Sequence, residues 1–303
     1  MALVDLHTHS TASDGTLSPT QLMQQAAAAG LVGIALTDHD TGNGLLEAAD
    51  EARRLNLRFV PGIEISADYP TPGTMHILGH FIDPVSPALN TMSRLLLDAR
   101  NERNPRIIAR LRELGCNVTM EQVEAIARKH VPVGSPVVIG RPHIAQALVQ
   151  AGCVANLKQA FDAFLGTTGS AYFPKERLTP RQAIDCIHAA GGLASLAHPV
   201  QLRTTGPAET QTVINRLAEA GLDALECYHS DHRPQDIAFL LSLTHRYNLV
   251  ATGGSDFHGS NKIDVHLGRG KNNVAVPESV LDRLEARWRA QQNVGNTAAT
   301  PAA

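Results

Sequence analysis

Two histidines, His7 and His9, sit one residue apart in the stretch VDLHTHSTASDGT, with Asp14 close behind them. Similar residues recur along the chain: His39 between Asp38 and Asp40 in TDHD, Glu64 in GIE, His76 in TMHI, His198 in AHP, and Asp256 with His258 in GSDFH. Imidazole and carboxylate groups together make a nitrogen and oxygen donor set, which suits Mn²⁺, Zn²⁺ or Fe²⁺. In extended chain the members of a pair two residues apart point the same way, so His7/His9 and Asp256/His258 can each converge on one point. Clustered divalent ions activate water at neutral pH and hold a phosphoryl oxygen for in-line displacement. No Ser-His-Asp order and no GxxxxGK[ST] loop competes, so phosphate-ester hydrolysis is the expected chemistry, with amide hydrolysis as the alternative. Single residues carry less. Asp14 alone reads as a turn residue, Asp38 and Asp40 are expected to orient His39, and helical His188 and His245 read as ordinary surface or core residues. The conjunction at strand ends is what points to metal.

Strand-like and helical runs alternate around these residues. ALVDL, VGIALT, LRFVPGIEISA, TMHILGHFI, LASLAH, ALECY and LVATGGSD read as strands, and NNVAV as a closing strand before a helix near 277–292. Ser18-Pro19 and Thr179-Pro180 are helix starts, with glycines as stops. Such alternation predicts a parallel sheet, open or closed into a barrel, with its chemistry at the C-terminal strand ends. Residues 86–175 break the rhythm: several helices follow one another without a strand. The expected organisation is a barrel over 1–85 and 176–292, a helical insertion over 86–175 serving as a substrate cap, and a disordered tail over 293–303. No internal repeat is evident.

The bulk numbers fit a globular protein with a real core: 303 residues, 43% hydrophobic and 18% charged. A net charge of −3 supplies no global field for duplex DNA, so nucleotide binding must come from local arginines. Arg100 and Arg103 share a helical face in DARNERNPR, and Arg141 opens a helix in GRPH; spacing alone leaves a solvated basic face and a phosphate site equally open. No apolar run reaches the roughly 20 residues of a membrane span, and the opening strand leaves no room for a signal peptide. The four cysteines never form CxxC, so no disulfide framework or thiolate zinc site is expected, and the expected location is the cytoplasm. The expected state is a monomer.

Taken together, HxH, TDHD, GIE, the central histidine, AHP and GSDFH resemble the polymerase and histidinol phosphatase (PHP) family, over roughly 1–81 and 190–276. The resemblance implies an α/β fold, a distorted seven-stranded (β/α) barrel holding two to three divalent metals. By this resemblance His7, His9, Glu64 and Asp256 bind one ion, Glu64 with His76 and His198 a second, and Asp14, His39 and His258 a third. Asp14 stands where many relatives have histidine, which makes that position harder. Several carboxylates favour Mn²⁺, with Zn²⁺ or Fe²⁺ as alternatives. His7, His9, Asp256 and His258 are the expected catalytic set.

RNER and GRPHIA within a helical insert resemble the branch of nucleoside 3′,5′-bisphosphate phosphatases and 5′→3′ oligoribonucleases. That implies a substrate pocket with His39, Arg100, Asn101, Glu102, Arg103 and Arg141, together with Ser135 and Lys175, and His229 and His266 as further lining. The expected activity is removal of the 3′-phosphate from a small nucleotide such as adenosine 3′,5′-bisphosphate, with trimming of short RNA from its 5′ end. The alternatives are a histidinol-phosphate phosphatase and a non-catalytic module that stabilises a partner.

Overall fold

The computed structural model describes residues 2–70, 72–129, 131, 137–271 and 274–298. Ser135, an expected substrate residue, lies outside them.

The chain opens with β1 (Leu3–Asp5), α1 (Pro19–Ala28), β2 (Leu31–Leu36), α2 (Leu45–Arg54) and β3 (Arg58–Ala67). The helix start expected at Ser18-Pro19 forms as a capping box, in which the Ser18 side chain accepts from the Gln21 N–H and Gln21 reaches back. Next come β4 (Met75–His80) and the helices α3 (Pro87–Glu113), α4 (Met120–Arg128), α5 (Arg141–Gln150) and α6 (Leu157–Ala160). A π-helical turn, Phe161–Leu165, continues α6. The chain then returns through α7 (Pro180–Ala189), β5 (Leu193–Leu196), α8 (Pro207–Glu219), β6 (Ala224–His229), α9 (Pro234–Tyr247), β7 (Val250–Gly254), β8 (Val276–Pro277) and α10 (Glu278–Ala298).

The sheet carries eight strands among the described residues, in the order β7-β6-β5-β4-β3-β2-β1-β8, where the resemblance implied seven. The additional strand is Val276, the last residue of the expected closing run, with Pro277 after it, antiparallel to β1. The expectation of a parallel sheet is also corrected, because β4 runs antiparallel to both β3 and β5. The cause is the connection. Only residues 68–74 join β3 to β4, and a parallel crossover needs about a dozen residues or more.

Closure is nearly complete between β7 and the chain after β1. The Leu6 N–H donates to the Gly253 carbonyl at 3.2 Å, and the Asp256 N–H to the His7 carbonyl at 2.9 Å. A side chain at Gly254 would meet the His7 backbone and Cβ at 2.4 Å, so glycine is needed where β7 closes on β1.

Two main groups of apolar side chains surround the sheet. One packs α1, α2, α7, α8 and α9 against it through residues such as Leu22, Ile34, Ile65, Ile184 and Leu240. The other joins the sheet to α10 through Val4, Val60, Val276 and Leu284. Residues between β4 and β5 have a core of their own, built on Ile107, Leu111, Val123, Ile144 and Leu148. α3 turns Arg100, Arg103, Asn104 and Ile107 inward, whereas Asn101 and Glu102 are exposed. The helical period of 3.6 residues dictates this division. α10 runs on to Ala298 where the sequence reading expects a disordered tail from 293; residues 299–303 lie outside the described residues.

Candidate active site

The loop after β1 brings His7 and His9 to the barrel mouth. Asp38 holds this loop: its carboxylate accepts from the Ser10 N–H at 2.8 Å, the Ser10 hydroxyl at 2.6 Å and the Ser13 hydroxyl. A Cβ at Gly15 would lie 2.5 Å from the His9 carbonyl oxygen, so the turn around Asp14 closes only with glycine there. Neither neighbour of His39 orients it, contrary to expectation. Asp38 is spent on the first loop, and Asp40 accepts from the Ser66 N–H, Arg100 and Lys175.

Because β4 is antiparallel, it starts at the end of the barrel where the parallel strands finish. His76, in its first turnings, is therefore placed opposite Ser66 and beside Glu64. His198 follows β5 and Asp256 follows β7, with φ of 26° and 57°. Non-glycine residues enter this backbone region only where their surroundings impose it, and such strain concentrates at functional sites. Asp256 and His258 thus converge through a turn and not, as expected, from extended chain.

Glu64 is the hub. One carboxylate oxygen lies 2.7 Å from His76 Nδ1 and 2.9 Å from His198 Nε2. The other lies 3.3 Å from His7 Nε2, 3.2 Å from His9 Nε2 and 3.0 Å from His39 Nδ1. Asp256 Oδ1 stands 3.4 Å from His9 Nε2 and 3.3 Å from His258 Nδ1, and Asp14 Oδ1 3.3 Å from His258 Nε2. All nine expected ligands are therefore gathered in one place. His188 and His245 stay outside it: His188 pairs with Asp223 and His245 is exposed.

Four clusters of donor atoms among the described residues are close enough to share an ion around these nine: His7-His9-Asp256, His7-Glu64-His198, His39-Glu64-His76 and His9-Asp14-His39-His258. Several of the facing atoms are buried and lack any hydrogen-bond partner, among them His7 Nε2, both His9 nitrogens, His39 Nδ1 and Glu64 Oε2. Orphaned buried polar atoms of this kind are costly, and cations at the centre would satisfy them. The donors are all nitrogen or oxygen, so the residues fit divalent ions. The charge balance agrees. Burial disfavours a proton on His9, yet Asp256 and Glu64 raise it to about 9. Burial and the neighbouring cations His9 and Lys262 push His258 down to about 4.

Four residues here escaped the sequence reading: Glu226, Lys262, Arg177 and Phe161. The Glu226 carboxylate, in ALECY, accepts from His7 Nδ1 at 3.0 Å and from the His198 N–H at 2.6 Å. An acid at an inward position of an apolar strand signals a buried partner, and that was the available clue. It leaves His7 Nε2 aimed at the centre, and such carboxylate-histidine pairs set the ring's orientation and basicity. Glu226→Gln is expected to lower metal affinity or turnover by about ten- to a hundredfold. Metal titration followed by phosphate release checks this, and wild-type values would assign the orientation of His7 to other groups.

Facing the acidic cluster across a cavity of about 300 Å³ are Arg100, Arg103, Arg141, Lys175 and Arg177. Arg100 and Lys175 share Asp40. Arg103 contacts the Asn104 side chain, and Arg141 donates to the Leu165 carbonyl at 2.9 Å. Neither forms an ion pair among the described residues. Burial and the neighbouring arginines pull Arg103 down to about 9 and Arg141 to about 10. Burial, only partly offset by Asp40, lowers Lys175 to about 7. Arg103 and Arg141 thus lack compensating charge, a state that an anionic ligand relieves. Asn101, Glu102 and His266 do not reach the cavity, and the first two are held away by the phase of α3. His229 does reach the cluster, 3.5 Å from Asp256.

Comparison with known proteins gives consistent results. The PHP domain model matches residues 5–130. The chain is 35% identical to a 5′-3′ exoribonuclease of Haemophilus influenzae, covering 84% of this chain and 89% of that one. It is 31% identical to a 3′,5′-nucleoside bisphosphate phosphatase of Chromobacterium violaceum (95% and 98%), and 33% identical to a phosphoribosyl 1,2-cyclic phosphate 1,2-diphosphodiesterase of Eggerthella lenta (87% and 97%). A solved structure from Bifidobacterium adolescentis, provisionally described as a metal-dependent phosphoesterase, superposes with a TM-score of 0.81 at 32% identity, over 94% of this chain and 96% of that one. Sequence, barrel and gathered donors agree, and the chain belongs to the PHP family.

Proposed function

We propose that this protein is a divalent-metal-dependent phosphoesterase that removes the 3′-phosphate of nucleoside 3′,5′-bisphosphates and shortens RNA from its 5′ end. One observation carries the reading: a nine-residue donor cluster faces a wall of five cations across one small cavity, and two of them, Arg103 and Arg141, have no ion pair among the described residues. Two phosphates on one nucleotide need these two environments, one reactive and one retentive. The names of the relatives from H. influenzae and C. violaceum support the same substrates.

In this reading His7, His9, Glu64 and Asp256 hold one ion, Glu64 with His76 and His198 a second, and Asp14 with His39 and His258 a third. When bound, such ions act as Lewis acids and lower the pKa of water, and Mn²⁺ is the expected occupant. The chain's own residues do the rest. Glu226 fixes the His7 ring, Asp38 fixes the loop carrying His9, and Arg103 and Arg141 hold the 5′-phosphate away from the reacting one. Residues 86–175 act as a cap, tied to the barrel where Arg100 and Lys175 meet Asp40.

A histidinol-phosphate phosphatase would have no second phosphate for the basic wall, and a non-catalytic module would have no need of so complete a donor set. The test is phosphate release from four esters with Mn²⁺, Zn²⁺ or Fe²⁺ added: adenosine 3′,5′-bisphosphate, 3′-AMP, histidinol phosphate and a ribose 1,2-cyclic phosphate. The bisphosphate is expected to have the highest kcat/KM, and a chelator to abolish turnover. Preference for either of the last two, or full activity with chelator, would overturn the reading.

A further inference from the structure

A second cavity, of about 450 Å³, adjoins the first and shares Thr74, His76, Arg141 and Phe161 with it. The first cavity is at the lower end of the size range of small-ligand pockets and suffices for one nucleotide. A mononucleotide bisphosphate leaves the second unexplained. Most of its wall comes from the β3-β4 connection, the π-helical turn with the residues after it, and the 3₁₀ turn Pro199–Leu202 with Arg203, and Arg141 of α5 and Asp231 after β6 also line it. The wall is polar, with Thr167, Thr168 and Gln201 offering hydroxyl and amide groups. Its two acids are already engaged, Asp162 by Lys158 and Asp231 by Lys271. Arg203 has no ion pair among the described residues and occupies a left-handed backbone position, φ 52°. Phe161 stands at the junction of the two cavities, on a π-helical turn, a feature frequent at functional sites.

We propose that the second cavity seats the nucleotide on the 3′ side of the bond that is cut, with Phe161 beneath a base and Arg203 on the next phosphate. The proposal rests on the function given above and says which residues make it an exonuclease. The shared residue His76 lies at the metal cluster, so chain leaving the reacting phosphate there enters the second cavity, past Arg141 and away from Arg100, Arg103 and Arg177. A water oxygen bonds to phosphorus, and the bond from phosphorus to the 3′-oxygen breaks. The departing 3′-oxygen takes a proton. One product is a 5′-mononucleotide with a free 3′-hydroxyl, and the other is a shortened RNA bearing a 5′-phosphate. That phosphate suits the arginine wall, so the direction of trimming follows from the order of the two cavities. Bases stack on aromatic rings with little sequence preference, and arginine on phosphate adds affinity that falls with salt.

The test compares adenosine 3′,5′-bisphosphate with the 5′-phosphorylated trinucleotide pApApA in wild type, Arg203→Ala and Thr168→Trp. Thr168 lines the second cavity only. Both substitutions are expected to lower kcat/KM for the first cut of the trinucleotide about tenfold or more, a phosphate contact or its room being lost. Turnover of the bisphosphate should stay as in wild type, which also reports that the variants fold. Equal trinucleotide rates in wild type and both variants would overturn the proposal, as would equal losses on the two substrates. Wild type that hydrolyses the bisphosphate and leaves the trinucleotide intact overturns it too, with the phosphatase reading still standing. Wild type inert on both would instead remove the function on which it rests.

Discussion

Glu64→Gln is expected to lower kcat for adenosine 3′,5′-bisphosphate by about 10³-fold or more. The carboxylate faces five histidines and is the one residue common to the His7-Glu64-His198 and His39-Glu64-His76 clusters. An ion polarising a phosphoryl oxygen contributes several kcal/mol, and each 1.36 kcal/mol is about tenfold in rate. Glutamine keeps the volume but removes the charge, so it would hold a divalent ion far less well. The backbone ladder from Glu64 to Leu78 does not involve the side chain, so the fold should persist by circular dichroism while bound metal falls. Asp14→Ala belongs to one cluster and should lose less. The measurement is turnover with metal content for each variant. A Glu64→Gln enzyme with wild-type turnover would sink the metal assignment, and equal losses in the two variants would show that the ion at Asp14 is essential.

Arg103→Ala and Arg141→Ala should each erase most of the preference for the 3′,5′-bisphosphate over 3′-AMP. Only the bisphosphate presents a second phosphate to these side chains, and both lie free of carboxylates at the cavity wall. A hydrogen bond to a charged group is worth roughly 1.5–3 kcal/mol, about ten- to a hundredfold in kcat/KM. The loss should fall on the bisphosphate, with 3′-AMP hydrolysis nearly unchanged. Arg100→Ala serves as the contrast, because its guanidinium already has Asp40 and its removal releases Lys175 from competition. Equal losses on both substrates for Arg103→Ala and Arg141→Ala would place these arginines on the reacting phosphate or in the fold.

What could be read directly was the set of residues whose chemistry does not depend on context. Imidazoles and carboxylates clustered at the ends of strand-like runs are rare without a metal, and helix starts such as Ser18-Pro19 are local signals. Glu226 was legible in principle as an acid within an apolar strand. Asn101 and Glu102 looked equivalent to Arg100 and Arg103 because adjacency in sequence hides the phase of a helix. Phe161 and Arg177 carry no local signal, since an aromatic or a lone arginine in a helical insert reads as packing or solvated surface.

By itself, then, the sequence determined the donor types, the order of strands and helices, and the helices among the described residues of 86–175. These depend on side-chain chemistry and on hydrophobic period, which are local. The short connection before β4 already implies its reversal, whereas tertiary structure alone decided that His76 and His198 meet on Glu64, that Asp40 serves Arg100 and Lys175 and leaves His39 to Glu64, and that Asp256 stands beside His7 and His9. Each of these pairs residues far apart in the chain. Whether a carboxylate becomes a ligand, a loop pin or a partner for arginine is set by which charge the closed barrel places beside it.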